Sequence, residues 1–244
     1  MPAPEPTCPE CHDTGFRILE SPEGKSRAAP CSCRLADRSE RLMEQARIPR
    51  RYHRCDFESY APQTAFQERA KRQAEIFARE YPNAESGLLF MGPPGVGKTH
   101  LVVAVIRHLI RDKGVPCVFY DFQDLLKEIQ NSYNSDSRSS ELGILQPIFA
   151  TEVLVLDDLG ARKPTVWVEE TLSHIISTRY NDKRITLLTT NYFDTLSEKK
   201  DPTLAERIGF RVRSRLHEMC RIVNVDGDDF RKTIKNADIR HRHS

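Results

Sequence analysis

Residues Gly87-Leu-Leu-Phe-Met91, followed by Gly92-Pro93-Pro94-Gly95-Val96-Gly97-Lys98-Thr99, decide the fold of this 244-residue chain. A short apolar run that reads as a strand enters a complete phosphate-binding loop, and the loop opens an amphipathic stretch that reads as a helix. The three glycines let backbone N–H groups turn inward on phosphates. Lys98 adds a point charge, and Thr99 offers a hydroxyl to Mg²⁺. The pattern points to ATP or GTP.

A second motif supports the first. Val153-Leu154-Val155-Leu156-Asp157-Asp158 is an apolar run ending in two acids, as expected of a central strand covered on both faces. Such a strand delivers Asp157 to the metal bound by Thr99. Asp158 is then the candidate base that orients and deprotonates a water, the alternative being a solvated carboxylate in a turn. Thr189-Thr190-Asn191 ends a further strand, Ile185 to Thr189, on the edge where the loop and Asp157 emerge. Asn191 is a candidate for holding that water or contacting the γ-phosphate, and otherwise starts an Asx turn.

Between these landmarks the reading is β-α-β-α. Gln63 to Tyr81 is expected to be a helix, as is Lys98 to Asp112, which Gly114 ends. Cys117 to Tyr120 is a strand, and Asp121 caps a helix from Phe122 to Tyr133. Asn134 to Ser140 is a polar loop, Thr165 to Asn181 a helix, and Cys220 to Val225 a last strand. At least four strands alternating with helices imply an α/β fold with a parallel sheet. Tyr52, Phe57 and Tyr60 are expected to pack on the core.

Composition sets the class: 39% hydrophobic residues and a net charge of +2 suit a globular protein with one good-sized core and a small appendage. Met1 to Thr7 lacks the basic and apolar regions of a signal peptide, and no apolar run is long enough to span a bilayer, so a cytoplasmic location without membrane contact is expected. Basic residues cluster at Arg47, Arg50, Arg51 and Arg54, and again at Arg207, Arg211, Arg213, Arg215 and Arg221. Each cluster suits phosphates or acidic partners, or is simply a solvated face.

Four of the seven cysteines crowd the first 33 residues as Cys8-Pro-Glu-Cys11 and Cys31-Ser-Cys33. In a reducing compartment two such pairs suit a tetrahedral zinc site, with turns at Gly15 and Gly24 and a short strand in Thr14 to Leu19. A module of this size needs a staple of that kind, because its apolar core alone is too small. Cys31-x-Cys33 is one residue shorter than the usual pair, which leaves His12 or Cys55 open as substitute ligands. The reading divides the chain into a cysteine-rich module (1–35), a helical linker (36–60) and a nucleotide-binding domain (61–244).

With these motifs in place, the chain resembles the AAA+ ATPases of the DnaC/IstB family, the bacterial helicase loaders and transposition helpers. The resemblance spans roughly residues 48 to 232. It rests on Ile48-Pro-Arg-Arg-Tyr52 with Cys55-x-Phe57, on the phosphate loop, on Val153 to Gly160 and Thr189 to Asn191, and on Leu204-Ala-Glu-Arg207 leading into Ser214-Arg215-Leu216-His-Glu-Met219. It implies a P-loop three-layer sandwich with a reduced C-terminal lid. Arg215 corresponds by resemblance to an arginine finger that enters a neighbouring subunit's site, with Arg207 a second candidate, and Arg231 corresponds to a late arginine that senses nucleotide. A finger acting in trans implies a homo-oligomer.

The family further implies ATP and Mg²⁺ as ligands, single-stranded DNA and a DnaB-like replicative helicase as partners, and slow hydrolysis given aspartate rather than glutamate at 158. The leading expectation is an ATP-dependent helicase loader whose cysteine module binds the partner. Alternatives are an IstB-like ATPase that regulates transposition, and a nucleotide-binding DNA adaptor with little hydrolysis.

Overall fold

The computed structural model describes residues 8–20, 26–133, 140–195 and 201–232. The expected turn at Gly24, most of the polar loop from Asn134 and the basic tail after Lys232 lie outside these residues.

The chain begins with an antiparallel hairpin, β1 (Phe16–Glu20) and β2 (Ser26–Pro30). Helix α1 (Ser32–Gln45) starts inside the second cysteine pair and runs past residue 35 onto the core. There, Arg38 and Ser39 donate to the carbonyls of Gly114 and Ile110, at 3.2 and 3.4 Å.

The core follows as α2 (Ala65–Glu80), β3 (Gly87–Met91), α3 (Lys98–Lys113), β4 (Cys117–Asp121), α4 (Phe122–Ser132), α5 (Glu141–Ala150), β5 (Val153–Leu159), α6 (Val166–Asn181), β6 (Ile185–Thr190), α7 (Leu204–Ile208), α8 (Phe210–Met219) and β7 (Cys220–Asn224). Local signals set these bounds. Thr64 and Gln67 form a reciprocal capping box at α2, Asp121 accepts from the N–H groups of Gln123 and Asp124 at α4, and Gly114 ends α3 in the left-handed region. Each polar cap is worth about 1 kcal/mol.

Helix α5 has no counterpart in the sequence reading. Pro147 sits inside it and its residues are nearly all apolar, so neither a helical period nor an unbroken helix-forming run marks it. Burial of Leu145 and Ile148 against the sheet holds it in place.

All five core strands are parallel, in the order β4-β5-β6-β3-β7. The strand that carries the phosphate loop therefore lies between β6 and β7, with two strands separating it from its sequence neighbour β4. Side chains alternate across this sheet. Leu88, Phe90, Val153, Val155 and Leu187 face the layer of α1, α2 and α3. Leu89, Met91, Leu154, Leu156 and Leu188 face the layer of α4 to α8. Burying each such side chain contributes about 1.5–3 kcal/mol before entropy is counted.

The exposed edge of β4 is covered, because its Phe119 N–H donates to the Ala46 carbonyl just beyond α1, at 2.8 Å. At the amino ends of β5 and β6 the fully buried Arg179 of α6 donates to Thr186 Oγ1 and to the carbonyls of Ile148, Thr151, Glu152 and Ile185. Burial lowers its pKa to about 9. No helix among the described residues is long and apolar enough to cross a membrane.

Candidate nucleotide site

The carboxyl ends of β3, β5 and β6 open onto one cleft of about 460 Å³, lined by residues 94–99 with Asp157, Asp158, Thr189, Asn191 and Arg231. Parallel sheets present ligands at this edge, beside the point where the strand order reverses. Gly95 and Gly97 have φ of 83° and 96°, and a Cβ on either would fall 1.8 Å from the Asp229 carboxylate or 2.5 Å from the Tyr60 ring. Side chains are excluded at both positions, so the loop brings its backbone amides to the cleft.

Lys98 is 7% exposed, and its ammonium donates to the carbonyls of Gly92 and Pro93, both at 2.8 Å, and to Asn191 Oδ1 at 2.7 Å. Burial lowers its pKa to about 8, against the raising influence of Asp157 and Asp158. Asp157 is the deepest acid. Its carboxylate accepts from Thr99 Oγ1 at 2.9 and 3.1 Å and from Thr189 Oγ1 at 2.6 Å, yet burial still raises its pKa to about 6. A hydroxyl and a carboxylate side by side are hard oxygen donors of the kind Mg²⁺ takes, so the pair fits that ion.

Asp158 is half-buried in the left-handed region (φ 57°), where β5 loses register with β6 between Leu156 and Leu159. Its N–H donates to Thr189 Oγ1 at 2.9 Å, and its carboxylate accepts from Asn191 Nδ2 at 2.7 Å. Burial, and secondarily the Asp121 charge, raises its pKa, with Lys98 and Arg231 opposing. An acid held in an uncommon backbone conformation costs about 1 kcal/mol or more and is a mark of functional constraint.

The arginines singled out by sequence divide between cleft and surface. Arg231 reaches the cleft on the segment after β7, where the Phe230 N–H donates to the Gly95 carbonyl at 3.2 Å. Arg215 does not line it and instead lies over the Tyr180 ring on α8, with 5.9 Å from guanidinium carbon to ring centroid. Arg207 is committed within its own subunit, donating to the carbonyls of Gly160 and Ala161 at 2.7 and 3.0 Å. Arg213 is buried in a bidentate pair with Asp194, both contacts at 2.5 Å. Neither basic cluster is thus a uniform solvated face, and Arg47 too is tied to Tyr120 and Glu128.

Several lining residues carried no functional mark in the sequence. Tyr52 and Tyr60, expected only to pack, also wall the cleft, together with Gln63, Gln67 and His100. Gln67 has a visible signal as the third residue of a capping box, but its second bond, to the Val96 carbonyl at 3.3 Å, depends on the tertiary fold.

The thiols of Cys8, Cys11, Cys31 and Cys33 lie within 4.8 Å of one another, with Cys8 and Cys31 at 3.8 Å and Cys11 and Cys33 at 3.4 Å. Sulfurs bound tetrahedrally to zinc at about 2.3 Å stand about 3.8 Å apart, so the cluster is compatible with that ion. The Gly15 N–H donates to Cys11 Sγ at 3.3 Å, the kind of outer contact that steadies a thiolate ligand. His12 is exposed and outside the cluster, while Cys55 lines the distant nucleotide cleft. The shortened Cys31-x-Cys33 spacing is accommodated because Cys33 stands on the first turn of α1.

A family model described as IstB-like ATP binding protein matches residues 31–237. The replicative helicase loader DnaC of Buchnera aphidicola (subspecies Schizaphis graminum) is 24% identical over 156 residues, 64% of this chain and 63% of that protein. The replicative helicase loader DnaC of Escherichia coli K12 is 25% identical over 178 residues, 73% of this chain and 71% of that one. A crystal structure of the DnaC helicase loader superimposes with a TM-score of 0.64 at 34% identity, covering 73% of this chain and all of the other. The chain thus spans somewhat under two thirds of the Buchnera protein's length.

Proposed function

This chain belongs to the IstB-like ATP-binding protein family and has the AAA+ P-loop fold, and from that premise we propose that it is an ATP-hydrolysing loader of a replicative DNA helicase onto single-stranded DNA, working as an oligomeric switch. The observation that carries the ATPase part is the continuous network Thr99–Asp157–Thr189 and Lys98–Asn191–Asp158 beneath the phosphate loop. It brings a cation, a hydroxyl–carboxylate pair suited to a metal and a second carboxylate into one cleft.

The geometry of the cleft and the family resemblance together support one division of labour. Lys98 and the amides at the start of α3 hold the phosphates. Thr99 and Asp157 hold Mg²⁺, which when bound neutralises charge that develops on the transferring phosphoryl group. Asp158, oriented by Asn191, aligns and deprotonates the attacking water. Arg231 approaches the nucleotide from its own chain, and Arg215, which does not line this cleft, is assigned to the neighbouring subunit's. A guanidinium supplied in that way is worth about 10³–10⁵ in rate.

The loader reading draws on the DnaC relatives and on the amino-terminal module. Its hairpin leaves Phe16, Ile18 and Leu19 exposed, Ile18 by 75%, and Leu35 on the first turns of α1 is 55% exposed. Apolar side chains so placed beside a zinc-compatible cluster suit a docking element for the helicase.

The test combines ATP turnover with and without single-stranded DNA and capture of a DnaB-like helicase by the full chain and by a chain lacking residues 1–30, which keeps α1 and Ala46 on the core. The reading expects turnover and capture by the first, and turnover without capture by the second. Equal capture by both removes the module's role, and no turnover under any condition leaves only a nucleotide-binding adaptor. A regulator of DNA transposition is the second reading, favoured by the description of the matching family model. Capture of a transposase in place of the helicase establishes it.

A further inference from the structure

The carbonyl of Val96, inside the phosphate loop, accepts two side-chain donors from outside it. Tyr60 Oη donates at 3.1 Å from the segment between α1 and α2, and Gln67 Nε2 donates at 3.3 Å from the first turn of α2. All three residues are buried.

Hydrogen-bond inventory fixes both donors. Gln67 Oε1 accepts from the Gln63 and Thr64 N–H groups, at 2.7 and 3.2 Å, so the end of that carboxamide facing Val96 is its amino group. A carbonyl cannot donate, so towards Val96 the Tyr60 phenol must, and burial pushes that phenol up to about 12, which keeps its proton near neutral pH. Each donor is itself held. The Tyr60 ring meets the His100 ring edge-on with centroids 5.2 Å apart, and the Tyr60 carbonyl accepts from Lys71 Nζ at 3.3 Å. Gln67 is fixed by the capping box of α2.

Holding this carbonyl aims an amide. The peptide from Val96 to Gly97 is trans, so its C=O and N–H point in opposite directions. With the carbonyl drawn toward Tyr60 and Gln67, the Gly97 N–H is turned away from them, and it has no protein acceptor among the described residues. Gly97 lines the cleft at the N-cap of α3, next to Lys98 and Thr99. An N–H held in one direction at a helix start is a donor for an anion.

We propose that Tyr60 and Gln67 are positioning residues for phosphate binding: by donating together to the Val96 carbonyl they point the Gly97 N–H at a phosphate oxygen of the bound nucleotide. This rests on the reading of the cleft as a nucleotide site. Glycine turns more freely than any other residue, so the clamp on this peptide comes from outside the loop. Without it, part of the binding energy is spent on ordering the amide.

The test measures the affinity of the full chain for a fluorescent ATP analogue, and displacement of that analogue by inorganic tripolyphosphate, which carries phosphates without a base. Tyr60→Phe keeps the ring and removes one donor. Gln67→Met removes the other and leaves the Thr64 hydroxyl to cap α2. Each single variant should bind both ligands about three- to tenfold more weakly, the loss that one hydrogen bond supports. The double variant should lose more than the product of the two, because either donor alone still holds the carbonyl. The Gly97 amide resonance, expected to move downfield when tripolyphosphate is added to the wild type, should move less in the variants. Losses that merely multiply show two independent contacts and overturn the shared clamp. Weaker binding of the analogue with unchanged tripolyphosphate affinity places Tyr60 and Gln67 against the base and overturns the proposal, as does a lower melting temperature with both affinities intact. Wild-type protein that binds neither ligand overturns the nucleotide reading instead.

Discussion

Asn191 Nδ2 donates to the Asp158 carboxylate at 2.7 Å, while the same side chain accepts from Lys98 at 2.7 Å, so one carboxamide ties the candidate base to the candidate phosphate-binding cation. Asn191→Ala removes the group that orients Asp158 but leaves the loop amides and Lys98 in place. Hydrolysis should fall about 10²-fold or more, with ATP affinity changed only a few-fold. Measuring turnover and analogue binding on one preparation separates the two, and parallel losses would place Asn191 in ground-state binding.

Lys98→Met should uncouple binding from stability. The ammonium is nearly buried, and desolvation opposes the three oxygens that hold it. The variant spares the desolvation of the ammonium but leaves the Gly92 and Pro93 carbonyls and Asn191 Oδ1 without that donor, and the two effects offset in part. The melting temperature is expected to move by no more than about 2–4 °C, the equivalent of roughly 1 kcal/mol at this size, while ATP binding disappears. A variant that unfolds instead would make Lys98 a structural residue.

The phosphate loop, the acidic strand and the end of β6 were legible because each packs its chemistry into adjacent residues. Gly92 to Thr99, Asp157 with Asp158, and Thr189 to Asn191 mark themselves, and apolar runs before them identify the strands. What the sequence hides is pairing across distance. Thr189 bonds to Asp157 from 32 positions away, and Tyr52 lines the same cleft as Thr99 from a segment well before the phosphate loop. Composition gives no hint that Arg179 is buried, since its partners are mostly backbone carbonyls of three other segments. Arg207 and Arg213 belong to a cluster that the sequence offers equally to phosphates, acidic partners or solvent, with Arg207 a second arginine-finger candidate, whereas one holds the loop after β5 and the other is buried against Asp194.

Binding should depend on pH in two separable ways. The Lys98 pKa, lowered to about 8 chiefly by burial, keeps the ammonium charged below that pH and neutral above it, so phosphate affinity is lost as pH rises through about 8. The Asp157 pKa, raised to about 6 chiefly by burial, leaves the carboxylate ionised above that pH and protonated below it, so Mg²⁺ affinity is lost as pH falls through about 6. Binding of ATP with Mg²⁺ is therefore expected to be bell-shaped, whereas binding in EDTA should keep only the alkaline limb. An acidic limb that persists in EDTA would assign that titration to another group.

The four-thiol cluster should hold about one zinc per chain and fold only its own surroundings. Cys31 is fully buried and Cys11 nearly so, hence Cys31→Ser should release the metal and expose the backbone amides of β1 and β2 to hydrogen exchange. The sheet core, which is packed separately from the thiols, should keep ATP binding within about a factor of two, an additivity expected of distant sites. Metal analysis and exchange measurements on both proteins check this. Wild-type protein purified without metal and with the hairpin protected would show that the thiols are not ligands.

Arg215 and Arg207 make opposite predictions because their surroundings differ. Arg207 donates to the Gly160 and Ala161 carbonyls and lies over the Tyr192 ring, so Arg207→Ala leaves two acceptors without a donor and loosens the turn that follows Asp158. It should lower stability by about 1–3 kcal/mol and impair turnover within each subunit. Arg215 is only partly buried, its described contact being the Tyr180 ring, so Arg215→Ala should leave melting temperature and ATP binding near wild type while lowering turnover. If Arg215 acts on a neighbour, mixing Arg215→Ala with Lys98→Met subunits, the first impaired and the second inactive alone, should raise turnover above that of either: the first keeps an intact cleft and the second supplies an intact arginine. Rescue requires contact between subunits, so it should grow with protein concentration. No rescue at concentrations where wild-type subunits associate would exclude a trans role for Arg215.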